Sequence, residues 1–251
     1  MANEKSGIKK TDWVSSFTLV GAAKVNDYTF TIDKQSERSS WVYNSMSLNV
    51  DCGEKHGSIR AEMMGGYSPD RENTIYAHGK DDDGNDDFSK QMTIAWEDRF
   101  DDTILDEVGK LSFIVVGLEK TTTGKTYYKN FLSEYDAIAY AQEHLEDGMV
   151  VNVKGRLQYS TYNDTVQVIQ SIVLSGADEP SKYYARFTQS VLLDKDSASL
   201  KDVDKDKGVM YVNARVLDYV KEINGTEIKG QYPFTEQFEF PMDFTKPELC
   251  K

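Results

Sequence analysis

Hydrophobic and polar residues alternate along much of the chain, which predicts a mainly β protein. Residues 41–51 show this most clearly, because a two-residue period separates them into two sides. The apolar side comprises Val42, Met46, Leu48 and Val50. The other side comprises Trp41, Tyr43, Ser45, Ser47 and Asn49. Residues 13–25, 28–33 and 58–64 have strand-like patterns as well, and in the last of these Arg60 points outward.

Residues 133–174 change from a helical period to a strand period. Ser133 with Asp136 three positions later forms a capping box, and apolar residues at helical spacing follow it. Gly148 ends this predicted helix, because glycine accepts the left-handed conformation that a helix stop requires. From residue 149 the period is two, with Gly155 on the apolar side. A polar turn at 160–164 and a β-rich run at 165–174 complete a helix, strand, hairpin and strand.

This order of elements resembles the end of an OB barrel, and the residues resemble bacterial and phage single-stranded DNA-binding proteins. The resemblance rests on YKNFL at 128–132 and on LEDGMVVNVKGRL at 145–157. It covers about residues 126–175 and, more loosely, residues 13–64. It implies an OB fold, a five-stranded Greek-key barrel with one helix between strands 3 and 4. Gly155 suits such a small closed barrel, since a side chain there would hinder sharp bending.

The composition pattern divides the chain into domains. We expect a polar tail at 1–12, an OB-fold domain at 13–175 that carries an insertion at about 65–125, a linker at 176–182, and a second, smaller OB-like β domain at 183–251. This second domain lacks a helix–strand–hairpin ending, so it is either truncated or built differently. In the insertion, 92–96 and 111–118 are candidate strands and 101–108 is a candidate short helix. In the second domain, Asn224-Gly225 predicts a hairpin.

The net charge of −13 is the main argument against a nucleic-acid partner, because phosphate contacts dominate such affinity. Net charge is a sum over the whole chain, however, and binding needs only a local basic groove. The acids are also clustered, as in KDDDGNDD at 80–87. The charge therefore weakens the DNA-binding hypothesis without excluding it.

The candidate site consists of cations for a nucleic-acid backbone and rings on which bases stack. The cations are Lys34, Arg38, Arg60, Lys154 and Arg156. The rings are Trp41, Tyr43, Tyr159 and Tyr162, with Tyr128 as a weaker candidate. Stacking contributes about 1–3 kcal/mol per base and tolerates any sequence. The alternative for Trp41 is that it packs under a loop.

Other chemistry lacks the residues that it needs. GLEKTTTGKT at 117–126 fails the spacing of a phosphate-binding P-loop, and 202–208 fails that of an EF-hand. Three histidines and two distant cysteines give no zinc spacing and no visible nucleophile–histidine–acid triad. We expect Cys52 and Cys250 to be free thiols in a reducing cytoplasm. There is no signal peptide and no run of 18 apolar residues, so no membrane is expected.

The resulting hypothesis is a non-enzymatic protein without a cofactor that binds single-stranded DNA independently of sequence. The family resemblance implies roles in DNA replication, recombination or repair, a phage origin with the host cytoplasm as its location, and self-association. It also implies replication or recombination proteins as partners, reached through the acidic segments. The alternative is a protein-interaction or virion structural module on an OB scaffold, which the acidic insertion and the net charge favour.

Overall fold

The computed structural model describes residues 13–159, 165–198, 200–223, 226–242 and 245. The secondary structure of these residues is mainly β, as the alternating pattern predicts. The strands and α-helices are β1 (Ser15–Lys24), β2 (Phe30–Gln35), β3 (Val42–Asp51), β4 (Ser58–Tyr67), β5 (Thr74–Lys80), β6 (Asp86–Ala95), α1 (Asp102–Glu107), β7 (Ile114–Lys120), β8 (Thr126–Phe131), α2 (Glu134–His144), β9 (Val150–Gln158), β10 (Val166–Leu174), β11 (Tyr184–Gln189), β12 (Val203–Asp204), β13 (Val209–Ile223) and β14 (Thr226–Pro241).

Two compact units divide the chain. The barrel unit comprises Ser16–Leu157 and Val166–Phe187. The second unit comprises the described residues of Met1–Ser15, Gln158–Thr165 and Thr188–Lys251. Residues 176–182, which the sequence indicates as a linker, group with the barrel unit, as does most of β11.

The barrel unit is built on a closed barrel of five strands in the order β1-β3-β4-β10-β9. All neighbours whose register is defined are antiparallel except β4 and β10, which are parallel. Glycine permits the closest approach of two strands, because a Cβ at Gly155 would lie 1.9 Å from the carbonyl oxygen of Val168. A side chain at Gly155 would therefore clash with β10. Strand β2 pairs with β3, and β11 pairs with β1.

The barrel interior follows the predicted alternation of β3, β4 and β9. Met46, Leu48 and Val50 are buried along β3, while Tyr43 and its neighbours at two-residue spacing are only partly buried. Helix α2 packs its buried face, formed by Ala137, Ile138 and Ala141, over this core. The helix lies where the sequence predicts it, but it ends at His144 with Leu145 as its C-cap, so Gly148 is not the helix stop. Gly148 has a φ of +82° in the turn that leads to β9.

The predicted capping box is only half correct. The Ser133 hydroxyl accepts a hydrogen bond from the Tyr135 N–H at 3.1 Å and caps α2. Asp136, however, pairs with the guanidinium of Arg99 at 2.7 Å. In a capping box this carboxylate would bind the backbone N–H of Ser133. The long Arg99 side chain reaches the first turn of α2 from the insertion and binds the carboxylate instead.

The insertion has the predicted short helix, and its candidate strand at 92–96 is the end of β6. Strands β5 and β6 pair antiparallel, and α1 follows them. A small core holds these elements together, consisting of Ala77, Ile94, Val108 and Leu132. Strand β7 instead joins the barrel sheet, because it pairs in parallel with β10 and carries β8 on its other edge.

The second unit contains a three-stranded sheet in the order β12-β13-β14. The predicted OB-like barrel is not formed by the described residues of this unit. The reason is that β13 and β14 form a ribbon of 15 and 16 residues, far longer than the short strands that close a small barrel. The hairpin predicted at residues 224–225 is confirmed by its flanks, since Ile223 pairs with Thr226, although the turn itself lies outside the described residues.

No helix among the described residues has the length and apolar character that crossing a membrane requires.

Candidate nucleic-acid interface

Two aromatic rings stack on the outer side of β3 and of the turn before it. The ring centroids of Trp41 and Tyr43 are 4.8 Å apart, and the planes are 17° from parallel. Both side chains are partly buried and partly exposed, so neither ring is fully buried. Gly66 on β4 lies opposite Tyr43, and a Cβ there would be 2.9 Å from the indole nitrogen of Trp41. The glycine therefore leaves the space that the ring pair occupies.

A β-bulge in β2 decides which charge lies beside these rings. The register shifts between Thr31 and Lys34, so that Lys34 and not Asp33 is opposite Tyr43. Asp33 is the extra residue and has a φ of 50°. Its N–H donates to the Asn44 side chain at 2.7 Å, and its carboxylate accepts from the Tyr135 hydroxyl. The bulge thus places a cation at this position instead of a carboxylate.

The remaining predicted cations differ in availability. Arg38 is exposed in the turn that joins β2 to β3, and Lys154 and Arg156 are exposed on the outer side of β9. Among the described residues, none of these three forms an ion pair, and neither does Lys34. Arg60 is also on the outer side, but it pairs with Glu62 at 2.5 Å, so part of its charge is neutralised. We name the surface of Lys34, Arg38, Trp41 and Tyr43 the Trp41 face.

The predicted tyrosines are not brought together. Tyr128 lies on β8 with 58% of its surface exposed. The prediction that bases stack on Tyr159 is wrong, because this residue is buried in the second unit and offers no open ring face. Its hydroxyl donates to Gln189 at 3.1 Å, and burial raises its pKa to about 12. Its position on the apolar side of the strand period agrees with this burial. Tyr162 lies outside the described residues.

A groove of about 650 Å³ opens between the barrel and the insertion. Arg156 of β9, Gly66 of β4 and Glu134 at the start of α2 line it from the barrel side. Arg71 and Tyr76 line it from the insertion. We name this cavity the insertion groove. The insertion thus forms one wall of this groove.

Arg71 links the insertion groove to the Trp41 face. This residue also lines a smaller recess together with Trp41 and Ser40. Gly66 has a similar position, since it lies against Trp41 and lines the groove. Sequence reasoning missed Arg71 and Tyr76 because both follow β4, where the family pattern stops. In the sequence, an arginine and a tyrosine stand close together, and the structure places them on either side of Thr74, where β5 begins.

An aromatic cluster holds the insertion wall against α2. The Arg99 guanidinium lies 4.1 Å from the centroid of the Trp96 ring and pairs with Asp136 of α2. Tyr67 stacks with Trp96 at 5.2 Å. Trp96 lines the insertion groove, but these contacts occupy its ring. It therefore acts as a rigid part of the wall.

Acidic side chains also lie at this surface. Glu72 and Glu134 line the insertion groove, and Asp70 lines the recess beside Trp41. Burial raises the pKa of Glu134, and the nearby charge of Arg156 opposes that rise. The groove thus combines two arginines with two carboxylates, so it does not attract a simple anion strongly.

The structure brings together a serine, a histidine and an aspartate that sequence analysis did not connect. The His78 ring lies 2.9 Å from the Ser112 hydroxyl and 2.8 Å from the Asp86 carboxylate. Three nearby N–H groups that an oxyanion would need are already bonded: those of Leu111, Ser112 and Phe113 donate to Asp86, Gly109 and Lys110. The Ser112 hydroxyl oxygen also accepts a hydrogen bond from the backbone N–H of His78 at 3.1 Å. This arrangement connects the insertion hairpin to the turn before β7, and these three N–H groups are already engaged in other hydrogen bonds.

In the part of the chain that the structure describes, no cluster of three or more histidine, cysteine, aspartate or glutamate side chains has the arrangement of a metal site.

Residues 80–239 match the family described as YorF. The match begins at the last residue of β5 and ends within β14, so it covers α2, β9 and the Arg156 side of the insertion groove but not the Trp41 face. No curated protein and no solved structure matches the chain.

Proposed function

The chain belongs to the YorF family, whose match covers more than half of it, and we propose that its barrel unit binds single-stranded DNA. The proposed ligand lies across the Trp41 face and continues past Arg71. DNA replication, recombination and repair are the processes in which such a protein covers exposed strands. A phage origin, a cytoplasmic location, self-association and partners at the acidic surface stay predictions.

We infer that the barrel is an OB fold. Numbered around the barrel by chain order, its strands follow the sequence 1-2-3-5-4, and the third and fifth strands are parallel. Helix α2 lies in the chain between the third and fourth barrel strands. OB folds bind oligonucleotides on the face of strands 2 and 3 and on the flanking loops. In this chain, that face is the outer side of β3 and β4.

The observation that carries the proposal is the stacked Trp41–Tyr43 pair on this face, with the cation Lys34 opposite Tyr43. Bases stack on such rings irrespective of sequence, because every base has a π face. Cations that form no ion pair with a described residue are available for phosphates. The combination of rings and free cations favours a flexible single strand, whose bases are accessible, over a duplex.

Salt dependence tests the proposal. If Lys34, Arg38, Arg71 and Arg156 each contact one phosphate, the logarithm of the association constant falls with the logarithm of salt concentration at a slope of about −3. We expect this slope in anisotropy titrations of a fluorescein-labelled oligo(dT), with weaker binding of the matching duplex.

A matched pair of lysine variants provides the control. Lys34→Ala should lower affinity and make the slope shallower by about 0.7, since one phosphate contact is lost. Lys55→Ala removes the same charge from the exposed turn before β4 and should change neither. Absence of binding at low salt refutes the proposal and favours a protein-interaction module. Equal effects of the two variants show that the Trp41 face is not the site.

A further inference from the structure

We propose that the insertion groove binds one nucleotide unit of the strand, with the base stacked on Tyr76 and its phosphate contacted by Arg71 and Arg156. This inference rests on the proposed function, because it extends the path of the same strand. It assigns a ligand-binding role to the insertion.

Tyr76 presents an open ring face. Its neighbours Ile75 and Ala77 face the small core of the insertion, so the alternation of β5 directs Tyr76 outward. The residue is 80% exposed, and its ring stacks on no other described ring. Because β5 is paired with β6, the backbone of Tyr76 is already ordered, and a stacked base restricts only two side-chain torsions.

Arg71 is held in place by its backbone. The Asn73 side chain donates to the Arg71 carbonyl at 2.9 Å and to the Ser68 carbonyl at 2.8 Å. The same side chain accepts from the Ser68 N–H at 2.9 Å, which closes the loop before β5. No ion pair with a described residue occupies the guanidinium. It is therefore free to bind a phosphate with two parallel hydrogen bonds.

Arg156 provides the second cation from the opposite wall. It is exposed on β9, between the buried Gly155 and Leu157. The floor of the groove is partly apolar, with Val168 and Ile169 of β10. A cavity of about 650 Å³ is within the range of small-ligand sites. The open ring of Tyr76, the apolar floor and the two arginines together suit a nucleotide better than a purely apolar molecule.

The carboxylates narrow the choice of ligand further. Glu72 and Glu134 repel an anion that makes no other contact in the groove, so inorganic phosphate should not bind. A base adds stacking on Tyr76 and presents donors that a carboxylate accepts. The groove thus discriminates a nucleotide unit from a bare phosphate.

The first test compares two exposed tyrosines. Tyr76→Ala should weaken the binding of an oligo(dT) of about 16 nucleotides, the upper site size of one OB fold, by about 5- to 150-fold. Tyr76→Phe keeps the ring and should bind like the unchanged chain. Tyr28→Ala removes a ring that is 90% exposed outside the groove and should have no effect. Thermal unfolding followed by circular dichroism checks that all variants are folded.

The second test locates the base directly. An oligonucleotide that carries 5-iododeoxyuridine is photocrosslinked to the full chain, and the crosslinked peptides are identified by mass spectrometry. The inference predicts crosslinks to the peptide that contains Tyr76 in addition to the one that contains Trp41. It also predicts that inorganic phosphate does not compete for the Tyr76 crosslink.

The outcomes separate the two proposals. If the oligonucleotide binds with crosslinks confined to the Trp41 peptide, and Tyr76→Ala binds normally, the inference is wrong and the proposed function stands. Equal losses in Tyr76→Ala and Tyr28→Ala also overturn the inference. If no oligonucleotide binds at low salt, the proposed function fails, and the inference fails with it.

Discussion

Asp136→Ala should destabilise the barrel unit by removing the carboxylate that anchors the insertion to α2. Arg99 donates to both carboxylate oxygens of Asp136, at 2.7 Å and 3.4 Å. The side chains of the pair are only 17% and 13% exposed. The same guanidinium lies on the Trp96 ring and donates to the Trp96 carbonyl at 2.7 Å. Loss of the carboxylate leaves a nearly buried cation without its counter-charge.

The size of the effect follows from this geometry. Removing one partner of a fully buried pair costs about 3–5 kcal/mol. Here the carbonyl and the ring remain in contact with Arg99, so we expect a decrease of about 2–3 kcal/mol in the free energy of unfolding. With a urea dependence of about 2 kcal/mol per molar, the unfolding midpoint falls by about 1 M.

Urea unfolding followed by tryptophan fluorescence measures this effect, because Trp96 is part of the cluster. Asp82→Ala is the control, since Asp82 is exposed in the turn between β5 and β6, and it should change stability by less than about 0.5 kcal/mol. A double-mutant cycle with Arg99→Ala should give a coupling energy above about 1 kcal/mol. A coupling near zero, or equal losses in Asp136→Ala and Asp82→Ala, would refute the reasoning.

Three further predictions concern individual groups. Burial raises the pKa of the Cys52 thiol to about 11, so in Cys250→Ser the remaining thiol should resist iodoacetamide at pH 8 until the protein is unfolded. Gly66→Ala should weaken both folding and DNA binding, because a Cβ there would lie 2.1 Å from the carbonyl oxygen of Val42. An unfolding midpoint in urea equal to that of the unchanged chain would contradict this. Hydrogen bonds from a backbone N–H and from His78 lower the pKa of Asp86 below 3.8, so its contribution to stability is present above pH 3.8 and is lost as the pH falls through the lowered value. The stability difference between the unchanged chain and Asp86→Asn should therefore shrink in acid, and a constant difference would contradict the assignment.

The barrel and its helix were predictable because their signals are local. The two-residue period of residues 41–51 and the Ser133 cap each act through the backbone at their own position. In the insertion, the end of β6 and the short helix α1 were predicted, and β5 was missed.

The details of the candidate site depend on contacts between distant residues. The bulge at Asp33 arises from bonds to Asn44 and Tyr135, so no period in β2 indicates that Lys34 lies beside Tyr43. The pairing of Asp136 with Arg99 likewise spans the insertion. Tyr159 was a poor candidate for stacking because a residue on the apolar side of a strand is buried.

Quenching of tryptophan fluorescence tests the central claim most directly. Oligo(dT) should quench the emission of the unchanged chain at low salt, because a base stacks on Trp41. In Trp41→Phe, which keeps an aromatic ring against Gly66, the DNA should still bind while most of the quenching is lost. Equal quenching in the two proteins, or DNA binding with no quenching in either, would contradict the account.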